Sequence, residues 1–168
     1  MVIVQRAEAR ADERAGFEAS FRQVSRSAFL LARQLGRDPE GAADAVQEAA
    51  LRAWRYRASR TSEFRPWFLT IVYRVARGRI RDWLPLPAAW DRAGPDPFET
   101  SMDPELLGAL RSLPARQRTA LWLRYCEDMT TGDVARIIGC SDTAAKQLLS
   151  RARGGLRARL AKFPEEKI

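Results

Sequence analysis

Apolar residues along the first third of the chain fall at helical spacing. Phe17, Phe21, Val24, Ala28, Leu31 and Leu35 recur at alternating steps of four and three, which makes one apolar stripe of a long helix. Gly36 ends that helix and Pro39 follows it. A second helix is predicted from about Glu40 to Arg57, turning Val46, Ala49, Ala50, Ala53 and Trp54 inward. The polar stretch Ala58 to Glu63 reads as a loop, and a third helix as running from about Arg65 to Trp83. In that third helix Phe68, Ile71, Val72, Val75, Ile80 and Trp83 are the apolar positions. Three such helices close a small bundle.

The periodicity then stops. In residues 84–104, Pro85, Pro87, Pro95, Pro97 and Pro104 break any regular element, and small and acidic residues fill much of the rest. This is a linker. Trp90 and Phe98 are unusual in a plain tether and suit docking on a partner or on either flanking unit. Helical spacing resumes beyond it. Pro104 opens a short helix through Leu113, and Pro114 stands at the first turn of the next, which carries Ala120, Leu121, Leu123 and Tyr125. Asp128 and Met129 form a turn, and Thr130 with Asp133 resembles a capping box with Asp in place of Glu.

Residues 131–151 read as a helix-turn-helix. Val134, Ala135, Ile138, Cys140, Ala145 and Leu148 are its apolar positions, and Gly139 stands where the chain must turn sharply. Ser141 suits the cap of the second helix, and Asp142 suits its positive end. Thr143, Lys146, Gln147 and Ser150 are left for the outer face, and a helix presented this way fits the major groove of DNA. Gln favours adenine edges there and Lys guanine edges. From Lys146 to Lys162 six cations occur with no acid among them. Of these, Arg151 and Arg153 suit phosphate contacts or ion pairs within the unit.

Composition sharpens this picture. The 168 residues carry 29 Lys and Arg against 21 Asp and Glu, a net charge of +8, which favours a polyanionic partner. There is no histidine, so a Cys/His zinc site and histidine-based acid–base chemistry are excluded. No metal or cofactor is expected. Cys126 and Cys140 are the only cysteines, and both fall where buried helical thiols are expected rather than a redox pair. No apolar run approaches the ~20 residues of a membrane span, and the N-terminus turns charged after four residues. A cytoplasmic protein without membrane insertion is expected.

Two further stripes carry candidate chemistry. Asp44, Gln47 and Glu48 project from about one face of the second helix. Thr70, Arg74, Arg77 and Arg81 follow steps of four, three and four, a basic stripe beside aromatics that suits exposed phosphates and unstacked bases. Phe64 or Trp67 offers a stacking surface, although Trp67 fits the core equally well.

Together the pieces resemble an extracytoplasmic-function (ECF) sigma factor. Asp44-Ala45-Val46-Gln47-Glu48 with Leu51-Arg52-Ala53-Trp54 is similar to that family's D-L-x-Q-E and L-R-A-W segments, and Phe64-Arg65-Pro66-Trp67-Phe68-Leu69-Thr70-Ile71 to its F-R-x-W-L-x-x-I segment. Leu113-Pro114-x-Arg116-Gln117-Arg118, Leu123-Arg124-Tyr125, Asp133-Val134-Ala135, Ile138-Gly139 and Arg151-Ala152-Arg153 resemble its second unit. The resemblance implies an all-α protein of two small helical domains joined by a Pro-rich linker. These are a region-two bundle over 16–84 and a winged-helix-like region four over 105–163, with tails at 1–15 and 164–168. It implies that Asp44, Gln47, Glu48 and Arg52 grip the clamp of core RNA polymerase. By the same resemblance, Phe64, Thr70, Arg74, Arg77 and Arg81 read the minus-ten element of promoter DNA and capture an extruded base. Thr143, Lys146, Gln147, Ser150, Arg151 and Arg153 then serve the minus-thirty-five element. An anti-sigma factor is an implied partner, and no small-molecule substrate is. Two departures bear on sequence preference: Arg74 and Gly78 stand where the family often has Asn and Asp, and Ala144 and Leu148 replace a hydroxyl and an arginine. A free-standing helix-turn-helix regulator is the rival reading. An enzyme is disfavoured, since no paired-carboxylate pocket or glycine-rich phosphate loop is visible.

Overall fold

In a computed structural model, which describes residues 2–78 and 103–161, the described residues form seven α-helices and one 3-10 turn, with no strand among them. The helices are α1 (Val2–Gln34), α2 (Pro39–Arg55), α3 (Phe64–Arg77), α4 (Pro104–Arg111), α5 (Ala115–Tyr125), α6 (Thr131–Ile138) and α7 (Asp142–Leu160). The all-α expectation holds. No strand flanks the helix-turn-helix among the described residues.

Helices α1, α2 and α3 pack against one another around Phe21, Val24, Leu31, Ala49, Ala53, Phe68, Leu69 and Val72. The small residues of α2 let its neighbours approach closely. Gly36, at φ 85°, turns the chain out of α1. Asp38 then caps α2, its side chain accepting from the Gly41 amide at 2.8 Å, with Pro39 in the first turn. Such a cap is worth about 1 kcal/mol. The expected tail 1–15 is instead helical from Val2. Exposed side chains from Glu8 to Gly16 gave no apolar stripe to betray it, and an Arg57–Glu13 ion pair ties this extension to the end of α2. Helix α3 stops at Arg77, with Gly78 extended at its end, so Gly78 terminates the helix that the spacing carried on to about Trp83. Ile80, Arg81, Trp83, Trp90, Phe98 and the prolines from Pro85 to Pro97 lie outside the described residues.

The second unit packs α5, α6 and α4 against α7. Trp122, Leu123, Val134, Ile137, Ala145, Leu149 and Ala152 are buried there. Asp103 caps α4 ahead of Pro104, and Pro114 stands at the N-cap of α5 rather than inside its first turn. Two inward assignments are corrected. Tyr125 is exposed, and Leu149 rather than Leu148 is fully buried, with Leu148 half-buried against it. The cysteines are not deeply buried either: Cys126 is exposed just past the end of α5, and Cys140 is half-buried.

The two units are in contact. Helix α3 packs on α6 and α1 on α5, and one continuous apolar cluster runs through both units. Arg65 of α3 donates through Nη2 to Oε2 of Glu127, a buried carboxylate in the turn after α5. Arg118 of α5 donates to the carbonyl oxygen of Gln34 from Nε at 3.1 Å and from Nη2 at 2.6 Å. Burial, and next the charge of Arg111, lower the pKa of Arg118 from its ordinary value.

Candidate nucleic-acid interface

The helix-turn-helix is assembled from local rules that each leave a trace in the sequence. Thr130 and Asp133 form a reciprocal capping box: the Thr130 hydroxyl accepts from the Asp133 amide at 3.1 Å, and the Asp133 carboxylate accepts from the Thr130 amide at 3.3 Å. Gly139 closes α6 at φ 74°, a left-handed conformation that costs glycine little. Ser141 caps α7 through the Ala144 amide at 3.2 Å, with Asp142 in the first turn. Ala145, Leu149 and Ala152 then point inward, which fixes the rotation of α7 about its axis.

That rotation turns Thr143, Lys146, Gln147, Ser150, Arg151 and Arg153 out to solvent together. Arg153 makes no ion pair with an acid among the described residues; its Nη1 donates to the Tyr125 hydroxyl at 3.1 Å. Tyr125 is thereby drawn into the same exposed basic surface, with the Arg124 guanidinium 5.8 Å from its ring. Across the turn, Arg136 on α6 is paired with Asp133 at 3.1 Å. A groove-sized helix with a polar outer face and flanking guanidinium groups has the form that reads base edges while gripping phosphates.

On α3, Arg74 and Arg77 are exposed as expected, and Arg77 lies over the Tyr73 ring at 5.5 Å. Thr70 is half-buried, and its hydroxyl donates to the Pro66 carbonyl at 2.8 Å. Arg81 lies outside the described residues. Phe64 sits half-buried at the start of α3 in an aromatic cluster: stacked on Phe68 at 5.6 Å, edge-on to Phe17 at 5.5 Å, and 5.8 Å from Trp67. Arg60, which the sequence reading did not single out, approaches the Phe64 ring to 5.7 Å. Both Phe64 and Trp67 therefore bridge core and surface.

On α2, Asp44 is exposed, and Gln47, Glu48 and Arg52 are half-buried. Glu48 and Arg52 form an ion pair at 2.5 Å one helical turn apart, so this face is a paired charge array rather than a plain acidic patch.

The pattern described as Sigma-70 region 2 matches residues 21–84, and that described as Sigma-70, region 4 matches residues 104–154. The ECF RNA polymerase sigma factor SigM of Mycobacterium tuberculosis is 31% identical over 163 residues, covering 91% of this chain and 79% of SigM. The chain belongs to the extracytoplasmic-function sigma factors. The probable RNA polymerase sigma factor RfaY of Xanthomonas campestris is 32% identical over 146 residues, and SigJ of M. tuberculosis 31% over 136. The chain spans 36% and 43% of the length of those two relatives. Among solved structures, RpoE of Bartonella quintana, crystallised with the anti-sigma factor NepR, aligns at a TM-score of 0.64 and 26% identity, over 87% of this chain and 97% of RpoE. CnrH, solved with the cytosolic domain of CnrY, shares the fold at a TM-score of 0.68 and 22% identity, over 93% and 94% of the two chains.

In this sigma factor, α1 to α3 supply most of region two and α4 to α7 region four. The ties between the regions, Arg65–Glu127 and Arg118–Gln34, were missed by the sequence reading. Each joins residues more than sixty positions apart, and no local pattern marks such a pair.

Proposed function

We propose that this chain binds core RNA polymerase and directs it to a specific set of promoters. In this reading region two holds the polymerase clamp through Asp44, Gln47, Glu48 and Arg52. Arg74, Arg77, Arg81, Thr70 and Phe64 engage the minus-ten element, where stacking and hydrogen bonds offset the few kcal/mol that extruding a base costs. Region four presents Thr143, Lys146, Gln147 and Ser150 to the minus-thirty-five element, with Arg151 and Arg153 on phosphate. The functional domains run over 16–84 and 105–163, with 85–104 as the tether. The chain acts in the cytoplasm without catalysis of its own. By similarity to RpoE, an anti-sigma protein is its regulator.

The observation that carries the reading is the capped, fixed rotation of α7, which exposes a single polar, basic face on the same chain as the α2 charge array. A free-standing regulator needs the first feature and has no use for the second. Co-elution with purified core polymerase on size exclusion tests it. The native chain is expected to co-elute at one copy per enzyme, and Glu48→Arg, which sets a cation beside Arg52, to lose at least tenfold in affinity. Equal retention of both chains would reject the α2 assignment.

A further inference from the structure

Where the turn after α1, the end of α3 and the start of α5 meet, the surface folds into a cleft of about 520 Å³. Its chemistry is one-sided. Arg37, Arg77 and Arg116 reach it from those three places, and no acidic side chain lines it among the described residues. Asp38, next to Arg37 in the chain, is engaged as the α2 cap. Two of the three cations are held in place. Arg37 donates to the Ala76 carbonyl from Nε at 2.8 Å and to the Gly78 carbonyl from Nη2 at 3.0 Å, and Arg77 donates from Nη1 to the Tyr73 hydroxyl at 3.4 Å. Nη1 of Arg37 and the Arg116 guanidinium have no protein partner among the described residues. Helix α5 also begins here. Pro114 at its N-cap supplies no side-chain acceptor, so the amides of Ala115 and Arg116 stand uncapped at the positive end of an 11-residue helix.

Like charges gathered on a concave surface repel one another and focus a positive potential. An anion in the cleft relieves that repulsion. One guanidinium fork satisfies a single carboxylate, whereas three guanidinium groups and open helix amides match an anion with many oxygens and several charges. The volume is that of a small-ligand site. We propose that this cleft binds a small polyphosphate, a di- or triphosphate chain that is free or carried on a nucleoside. Arg37 is its rigid anchor, Arg77 and Arg116 close on it, and the first amides of α5 donate to one phosphate group. The site is independent of the promoter reading, although a bound anion takes the Arg77 guanidinium that α3 otherwise offers to DNA.

Isothermal titration calorimetry of the full chain with sodium tripolyphosphate, and separately with ATP, tests the site without polymerase or DNA. The titrations are run in about 0.15 M salt, where exposed charges more than roughly 8 Å apart are screened. The native chain is expected to bind one anion. Arg116 is exposed and bonds to no other residue, so Arg116→Glu is expected to keep its helix content by circular dichroism and to bind at least about tenfold more weakly. Arg22→Glu makes the same change in net charge at an exposed position on α1, about 20 Å along the chain from Gly36, and is expected to alter affinity by less than about twofold. Equal affinity for the two anions assigns recognition to the phosphate chain, and tighter binding of ATP assigns a nucleotide. No saturable binding of either anion, several sites per chain, or equal weakening by both variants would overturn the proposal.

Discussion

At the scale of single residues, Cys126 shows how position along a helix outranks residue type. Its place after an apolar run predicted a buried thiol, but α5 ends at Tyr125 and Cys126 follows as an exposed cap. Local loss of solvent around the sulfur, and next the neighbouring Glu127 carboxylate, push its pKa up to about 11. The sign of the pH dependence follows. The folded chain holds this proton above the ordinary thiol value near 8.5, so the stability linked to it is intact below that value and is lost as pH climbs towards 11. Alkylation by iodoacetamide, read at Cys126 by peptide mass spectrometry, should run more than tenfold slower at pH 8 in the folded chain than in the urea-unfolded chain. Equal rates at pH 8 would show an ordinary thiol. Thr119 offers a contrast: it is fully buried in α5, and its hydroxyl has no partner among the described residues. Nothing in its sequence neighbourhood distinguishes it from a core residue.

At the scale of elements, the sequence was most legible where local rules close on themselves. The Thr130–Asp133 box, the left-handed Gly139 and the Ser141 cap lie within twelve residues and involve only neighbours, so their order alone located α6 and α7. Helix ends without such chemistry were read poorly. The N-terminal part of α1 escaped notice because the exposed side chains from Glu8 to Gly16 gave no stripe, and α3 was extended past Gly78 because apolar residues continue beyond it. On α7, Leu148 and Leu149 are adjacent, and only packing against α5 decides which is fully buried. The same helix holds Gly154 and Gly155, which differ in what a side chain would meet. A Cβ at Gly154 has open space, whereas one at Gly155 would sit 3.1 Å from both Leu113 Cδ2 and Arg159 Nη1. Gly154→Ala should therefore raise stability by about 0.5–1 kcal/mol, a helix-propensity gain. Gly155→Ala should gain less or lose, since Leu113 is buried and must move. Thermal unfolding of the two variants checks the order, and an equal gain at both sites would contradict the close approach.

At the scale of the whole molecule, two helical units were legible, because the proline cluster interrupts periodicities that resume on the other side. How the units meet was not. Arg65 and Glu127 stand among many arginines and acids in a chain with 29 of one sign and 21 of the other, and only the fold selects that pair. The candidate site divides along the same line. The outward face of α7 followed from its cap and its small inward residues, whereas the Glu48–Arg52 pairing and the aromatic cluster around Phe64 depend on side-chain packing that spacing does not encode. All of these features serve one claim, that this chain gives core polymerase its choice of promoter. Run-off transcription on fragmented genomic DNA, with core polymerase in the presence and absence of the chain, tests it most directly. The account predicts discrete transcripts with fixed start sites that appear only when the chain is added. The same transcripts without it, or none with it while the chain alone binds duplex DNA tightly, would contradict the account.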